Sequence, residues 1–111
     1  MNLKETIKLK LHEFLALCES HHVKEIYAFG SSITCDFDEN DSDIDLLIEL
    51  NTPDPIERGE NLMSIWDKFE ILFQRKVDLL TNSSLKNPIL RQNIDATKIL
   101  IYDGKKQKIS F

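Results

Sequence analysis

Gly30-Ser31 closes the apolar run Val23–Phe29, and after a short polar stretch Asp43-Ile44-Asp45 opens another, Ile44–Ile48. Together these residues pair a seat for phosphate with a seat for metal. Both runs are rich in β-branched and aromatic residues, which predicts two strands flanking the motif. In an extended chain residues i and i+2 share a face, so Asp43 and Asp45 point one way and Ile44 the other. Adjacent carboxylates repel unless a proton or a cation sits between them, and a partly enclosed Asp-x-Asp therefore suggests a divalent metal. Gly30 lacks a Cβ and lets phosphate oxygens approach the backbone, while Ser31 offers a hydroxyl and the start of a short helix whose N–H groups attract anions. A nucleoside triphosphate with Mg²⁺ fits both halves.

Holding two ions calls for a third carboxylate. The candidate is Asp78, isolated among apolar neighbours in the strand-like run Lys76-Val77-Asp78-Leu79-Leu80. Should that strand lie beside the Asp43–Asp45 strand, a spacing of about 4.8 Å brings Asp78 within reach of the same ion. Three such groups suit a pair of ions roughly 3.5–4 Å apart.

The rest of the chain must hold these residues in place. Ile7, Leu11, Phe14, Leu15 and Cys18 fall at helical intervals, predicting one amphipathic helix from about Leu3 to Glu19. Asn51-Thr52-Pro53-Asp54-Pro55 reads as a turn into a second long helix, with Asp54 as N-cap, Pro55 at the first helical position and Glu57 placed for a capping box. Leu62, Ile65, Trp66, Phe69, Leu72 and Phe73 give that helix an apolar face wide enough for a sheet and a partner. Asn87-Pro88 starts a short helix through Ile94, and Lys98–Tyr102 reads as a final edge strand ended by Asp103-Gly104. Strands alternating with helices predict an α/β domain: a small mixed sheet of about four strands, covered by helices on one face and open to ligand on the other.

A chain of 111 residues predicts one domain with a real core but little room for a second substrate-binding module, so the acceptor is expected to arrive on another protein. The net charge of −5 offers no basic footprint for nucleic acid, and tRNA and DNA are discounted as substrates. Cys18 and Cys35, in a chain with no secretory apolar leader, indicate reduced thiols and a cytoplasmic location. The apolar runs fall far short of the roughly 20 residues that span a bilayer, so a soluble protein without a membrane partner is expected.

At Gly30-Ser31, Ser42-Asp43-Ile44-Asp45-Leu46-Leu47-Ile48 and Arg75-Lys76-Val77-Asp78-Leu79-Leu80-Thr81 the chain resembles the minimal nucleotidyltransferases of the DNA polymerase β superfamily, in particular those of antitoxin type. The family signature is Gly-Ser, a spacer of about ten residues, Asp-x-Asp, and a later carboxylate on the next strand. The resemblance covers nearly the whole chain. It implies the palm-like nucleotidyltransferase fold, expected over residues 1–103; past Asp103-Gly104 the lysine-rich 104–111 reads as a mobile tail. It also implies transfer of AMP from ATP to a tyrosine hydroxyl of a HEPN-domain ribonuclease toxin, which the modification inactivates. Carried over residue by residue, Gly30 and Ser31 would bind the triphosphate, Asp43, Asp45 and Asp78 would bind two Mg²⁺ ions, and Asp78 would assist in deprotonating the acceptor. Two departures mark this chain. The family often has Arg-Gly a few residues after its serine where Thr34-Cys35 stands here, and the spacer runs eleven residues, Ser32 to Ser42. Arg75, Lys76 and Arg91 are candidates for the missing positive charge.

Other readings explain less. Asp36-x-Asp38-x-Asn40 begins like a calcium loop but has Asp41 where glycine makes the turn and Leu47 where a bidentate glutamate belongs. Its acids read as a solvated loop. Cys18, His21 and His22 lack a second cluster to complete a zinc site and read as solvent-contacting residues at a helix end; His12 reads as surface, Tyr27 and Trp66 as core. No residue has the look of a nucleophile with a base beside it. Two further functions stay open: an antitoxin that neutralises its partner by covering it, with a vestigial nucleotide site, and a transferase acting on a small-molecule alcohol.

Overall fold

Alternation along the strands gives the sheet one wholly apolar face and one where acids and apolar residues mix, and the two faces have different occupants. In the computed structural model, which describes residues 3–30 and 43–111, the order is α1 (Leu3–Leu9), α2 (Leu11–Ser20), β1 (Val23–Phe29), β2 (Ile44–Leu50), α3 (Pro55–Phe73), β3 (Val77–Leu80), α4 (Pro88–Thr97), β4 (Ile99–Asp103) and β5 (Lys108–Ile109). The sheet runs β3-β2-β1-β4-β5. Strands β2 and β3 are parallel, joined by α3, and the other pairs are antiparallel.

One face of the sheet carries Ile26, Ala28, Ile44, Leu46, Ile48, Val77, Leu79 and Ile101 into the main core. Helices α1, α2 and α3 cover it with Leu3, Ile7, Phe14, Cys18, Ile65, Phe69 and Phe73. Phe14 sits at its centre, 5.7 Å from the Phe69 ring in a stacked arrangement and edge-on to Tyr102 at 6.2 Å. Such offset and edge-to-face contacts add to the area these rings remove from water. Helix α3 starts as its sequence dictates: Asp54 is the N-cap, its carboxylate accepting from the Ile56 N–H at 3.3 Å, with Pro55 following. It ends at Gln74 in the left-handed region, φ 55°.

Several expectations are corrected. The N-terminal helix is two helices, broken at Lys10, whose ammonium reaches across to the Leu72 carbonyl near the end of α3. That backbone oxygen is one of the last in a helix and lacks an intrahelical partner, so the lysine serves as a C-terminal cap for α3. Helix α4 runs three residues past Ile94, to Thr97, and packs on the opposite face of the sheet from the other helices. There Ile94 joins Phe29, Leu47 and Leu85 in a second, smaller cluster. The helices therefore do not keep to one face. The sheet has five strands, because residues treated as tail return as β5 and pair Tyr102↔Ile109 and Asp103↔Lys108. Strand β4 thus lies inside the sheet, with a bulge where Ile26/Tyr27 meet Tyr102/Leu100, and Ile109 and Phe111 pack on the main core.

Candidate active site

The end of the sheet where β1 finishes is also where β2 and β3 begin. Register brings the acids together there. Phe29, the last residue of β1, faces Asp45 across the antiparallel pair, and Asp45 faces Asp78 across the parallel pair. Asp43 precedes β2 by one residue, on the same side of the strand as Asp45. Along β2 the alternation is strict: Ile44, Leu46 and Ile48 enter the main core while Asp45, half-buried, looks to the other side. The core face and the acidic face are thus successive residues of the same strands.

Asp45 carries the electrostatic signature of this crowding. Its carboxyl is pushed up from 3.8 to about 6, chiefly by burial, then by the charges of Asp78 and Asp43, and by a side-chain hydrogen bond with Asp78. The charged form is disfavoured on every count, and a cation among the three acids would reverse the balance. Among the described residues no group of three or more His, Cys, Asp or Glu side chains is arranged to hold a metal ion as it stands.

Gly30 is needed here for a reason the sequence did not disclose. Its φ is 67°, in the region that favours glycine, and a Cβ added there would lie 2.6 Å from Asp45 Oδ2. The glycine at the end of β1 makes room for the Asp45 carboxylate itself. Ser31, Thr34, Cys35, Asp36 and Asp38 lie outside the described residues.

Helix α3 holds Asp78 in position from the side. β3 is an edge strand, and the Val77 N–H and C=O on its open side are both taken by α3: Glu70 Oε2 accepts from the Val77 N–H at 3.1 Å, and Trp66 Nε1 donates to the Val77 carbonyl at 2.6 Å. Covering the edge in this way removes two exposed backbone groups and fixes the strand beside Asp78. The two side chains lie one helical turn apart, a spacing visible in the sequence, but their target could not be read without the tertiary fold.

Among the candidate cations, Lys76 stands beside the acids, its Nζ 3.9 Å from Asp43 Oδ2. Arg91 is committed elsewhere: its guanidinium donates to the Asn82 carbonyl at 3.3 Å and Oδ1 at 3.4 Å, and it pairs with Asp95. Asn82 in turn donates to Glu49 Oε1 from Nδ2 at 2.6 Å and from its backbone at 3.2 Å. Arg75 also has a partner. Tyr27 lies half-buried on the same side of the sheet as Asp45, with the Lys98 ammonium 4.4 Å from its ring centroid and its hydroxyl donating to Glu25 at 3.3 Å.

Away from this end, Cys18 lies in the core as its place on the helical stripe predicts, and neither it nor His21 contacts solvent as a helix-end residue. Both are buried: burial pushes the Cys18 thiol well above its ordinary range, and His21 bridges α2 to α3 through the Leu17 carbonyl at 2.8 Å and Ser64 Oγ at 2.9 Å. His21 is a satisfied core histidine rather than a solvent-facing one.

No helix among the described residues is long and apolar enough to cross a membrane. Comparison with known proteins agrees with the arrangement of helices and strands. The family model for the nucleotidyltransferase domain matches residues 11–102. A Methanocaldococcus jannaschii protein named "Putative protein adenylyltransferase MJ0126" is 34% identical over 85 residues, covering 77% of this chain and 83% of its own. A solved structure of a "putative minimal nucleotidyltransferase" superposes with a TM-score of 0.60 at 25% identity, over 89% of this chain and 95% of that one. A structure of tri-AMPylated Shewanella oneidensis HEPN toxin in complex with MNT antitoxin shares the fold, with a TM-score of 0.50 at 20% identity over 89% of this chain and 74% of that one. The matched span contains Gly30, Asp43, Asp45 and Asp78, and the five-stranded sheet brings those residues to one end, so the chain belongs to the nucleotidyltransferase domain family.

Proposed function

We propose that this protein transfers AMP from ATP to a hydroxyl of a partner protein, a tyrosine of a HEPN-type toxin, and thereby acts as its antitoxin. The observation that carries the reading is the register Phe29↔Asp45↔Asp78, with Gly30 leaving room for the Asp45 carboxylate. The family supports nucleotidyl transfer, and the adenylyltransferase relative supports AMP and a protein acceptor. A fold shared with an MNT antitoxin supports the HEPN partner.

The donor set fits magnesium. All three acids offer oxygen, which a hard cation prefers, and the charge crowding that raises Asp45 is the kind a divalent ion relieves. Asp43, Asp45 and Asp78 are the residues that would hold it. Bound there, magnesium would supply the positive charge that neutralises the triphosphate and the leaving pyrophosphate. The chain's own residues do the rest. Gly30 and Ser31 seat the phosphates against the end of β1. The acceptor oxygen attacks the α-phosphorus, the new O–P bond forms as the bond to pyrophosphate breaks, and Asp78 takes the hydroxyl proton.

The test is to incubate the protein with ATP, Mg²⁺ and the product of its adjacent gene, then weigh that product by intact mass spectrometry. AMP-sized increments that disappear with Asp43→Asn are the expected result. Thr34 at the family's arginine position favours a second reading, a covering antitoxin with a vestigial site. A tight complex with unchanged masses would select it. Turnover of ATP with a small alcohol and no modified protein would point instead to a small-molecule acceptor.

A further inference from the structure

The parallel register that sets Asp45 opposite Asp78 and Ile44 opposite Val77, continued by one residue, sets Asp43 opposite Lys76. The backbone honours it: the Ile44 N–H donates to the Lys76 carbonyl at 3.0 Å, fixing the root of the lysine beside Asp43, and the ammonium stands 3.9 Å from Asp43 Oδ2. Both side chains are open to water, Lys76 at 68% and Asp43 at 42% exposure. An exposed pair at this distance is weak, so the lysine is held near Asp43 without being locked to it. Elsewhere on this side of the sheet, Arg91 is bound to Asn82 and Asp95, and Lys98 lies between Asp95 and the Tyr27 ring.

We propose that Lys76 is the phosphate-binding cation of this chain and exchanges partners during nucleotide entry. With no nucleotide its ammonium balances Asp43. As the triphosphate arrives, the ammonium moves to an oxygen of the β- or γ-phosphate, and the Asp43 carboxylate is released to the divalent ion. A flexible stem with a compact charge suits such an exchange, and a polyphosphate is a stronger partner than one solvated carboxylate. The inference rests on the nucleotidyltransferase reading above and adds to it a residue that affects ion and nucleotide binding with opposite sign. In the absence of nucleotide Lys76 competes with the ion, and in its presence Lys76 assists.

Opposite signs make the proposal testable without turnover. Mn²⁺ binding is titrated by electron paramagnetic resonance with no nucleotide present, and binding of the α,β-methylene analogue of ATP is titrated by calorimetry at saturating Mg²⁺. Wild type, Lys76→Gln and Lys76→Arg are compared, with matched circular dichroism as the folding control. For Lys76→Gln we expect Mn²⁺ to bind about threefold to fivefold more tightly, since the positive charge paired with the Asp43 carboxylate has been removed at moderate salt. The analogue should bind about tenfold more weakly, and Lys76→Arg should return both toward wild type. Unchanged affinities, or both affinities moving the same way in Lys76→Gln, overturn the role of Lys76 while leaving the nucleotidyltransferase reading intact. A wild-type protein that binds neither Mn²⁺ nor the analogue overturns that reading and this one with it.

Discussion

Replacing Asp45 by asparagine should make the protein more stable while ending its chemistry. The carboxyl is raised from 3.8 to about 6, foremost by burial and then by Asp78 and Asp43, so at neutral pH the folded state holds a charge it disfavours. A rise of that size corresponds to an upper limit near 3 kcal/mol, at about 1.36 kcal/mol per pH unit. Asp45 is only half-buried, and solvent screening reduces this to about 1–2 kcal/mol. The sign follows from proton linkage. A carboxyl whose folded value exceeds its unfolded one binds the proton more tightly when folded, so wild-type stability should fall as pH rises from about 4 to about 6 and then level off. An asparagine at this position cannot ionise, can donate to Asp78, and should flatten that slope. The chain has a single tryptophan, Trp66, bonded to the Val77 carbonyl beside Asp78, and its fluorescence reports urea unfolding at this end of the sheet. At pH 7.5 without divalent ions, Asp45→Asn should unfold at higher urea with an unchanged slope, and the gain should vanish near pH 4. A variant no more stable than wild type at pH 7.5, or a gain independent of pH, would refute the charge-crowding argument.

Gly30→Ala should cost about 1–2 kcal/mol, because φ is 67° and the new methyl meets Asp45 Oδ2, with a larger fractional loss in nucleotide binding than in stability; urea melts and analogue titration check both. Glu70→Ala leaves the Val77 N–H on the β3 edge without its acceptor and should cost about 1–2 kcal/mol, with amide exchange at Val77 and Asp78 accelerating more than in β1. Asn87→Ala removes the cap that accepts from Ile89 and Leu90 and should cost about 1 kcal/mol, seen as a lower melting temperature with Asp45 titration unchanged.

How much of this is legible in the chain differs residue by residue. Strand alternation is a local property, so the common face of Asp43 and Asp45 and the apolar face of Ile44, Leu46 and Ile48 can be read directly from the sequence. Helix starts are equally local: Asp54-Pro55 and Asn87-Pro88 carry their caps with them. The break at Lys10 is not local. No proline or glycine marks it, and the lysine leaves the helical path where it reaches a carbonyl of α3 far along the chain. Strand β5 is hidden because two residues are too few for periodicity to register, and their pairing depends on β4 being in place. The side of the sheet occupied by α4 depends on Ile94 finding Phe29, Leu47 and Leu85, a contact between distant segments. His21 reads as a surface residue because only the fold sets Ser64 against its ring.

The same distinction explains why the acids tolerate one another. On β2 a core residue and an acid alternate, so the apolar packing that anchors Ile44 and Leu46 also fixes where Asp45 points. The repulsion cannot be relieved by turning the strand, since a one-residue slip would carry Ile44 and Leu46 out of the core. Nor can β3 drift away easily, because Trp66 and Glu70 grip Val77 from the far side. Both strands are held by contacts on the faces and edges that the acids do not use. The cost of charge crowding at Asp45 is therefore borne by the whole sheet instead of being lost to a local rearrangement. An isolated loop bearing three aspartates would spread them apart. A sheet end that cannot do so keeps its demand for a proton or a cation, and that retained demand links the packing of Ile44 and Leu46 to the phosphate chemistry proposed for the opposite face.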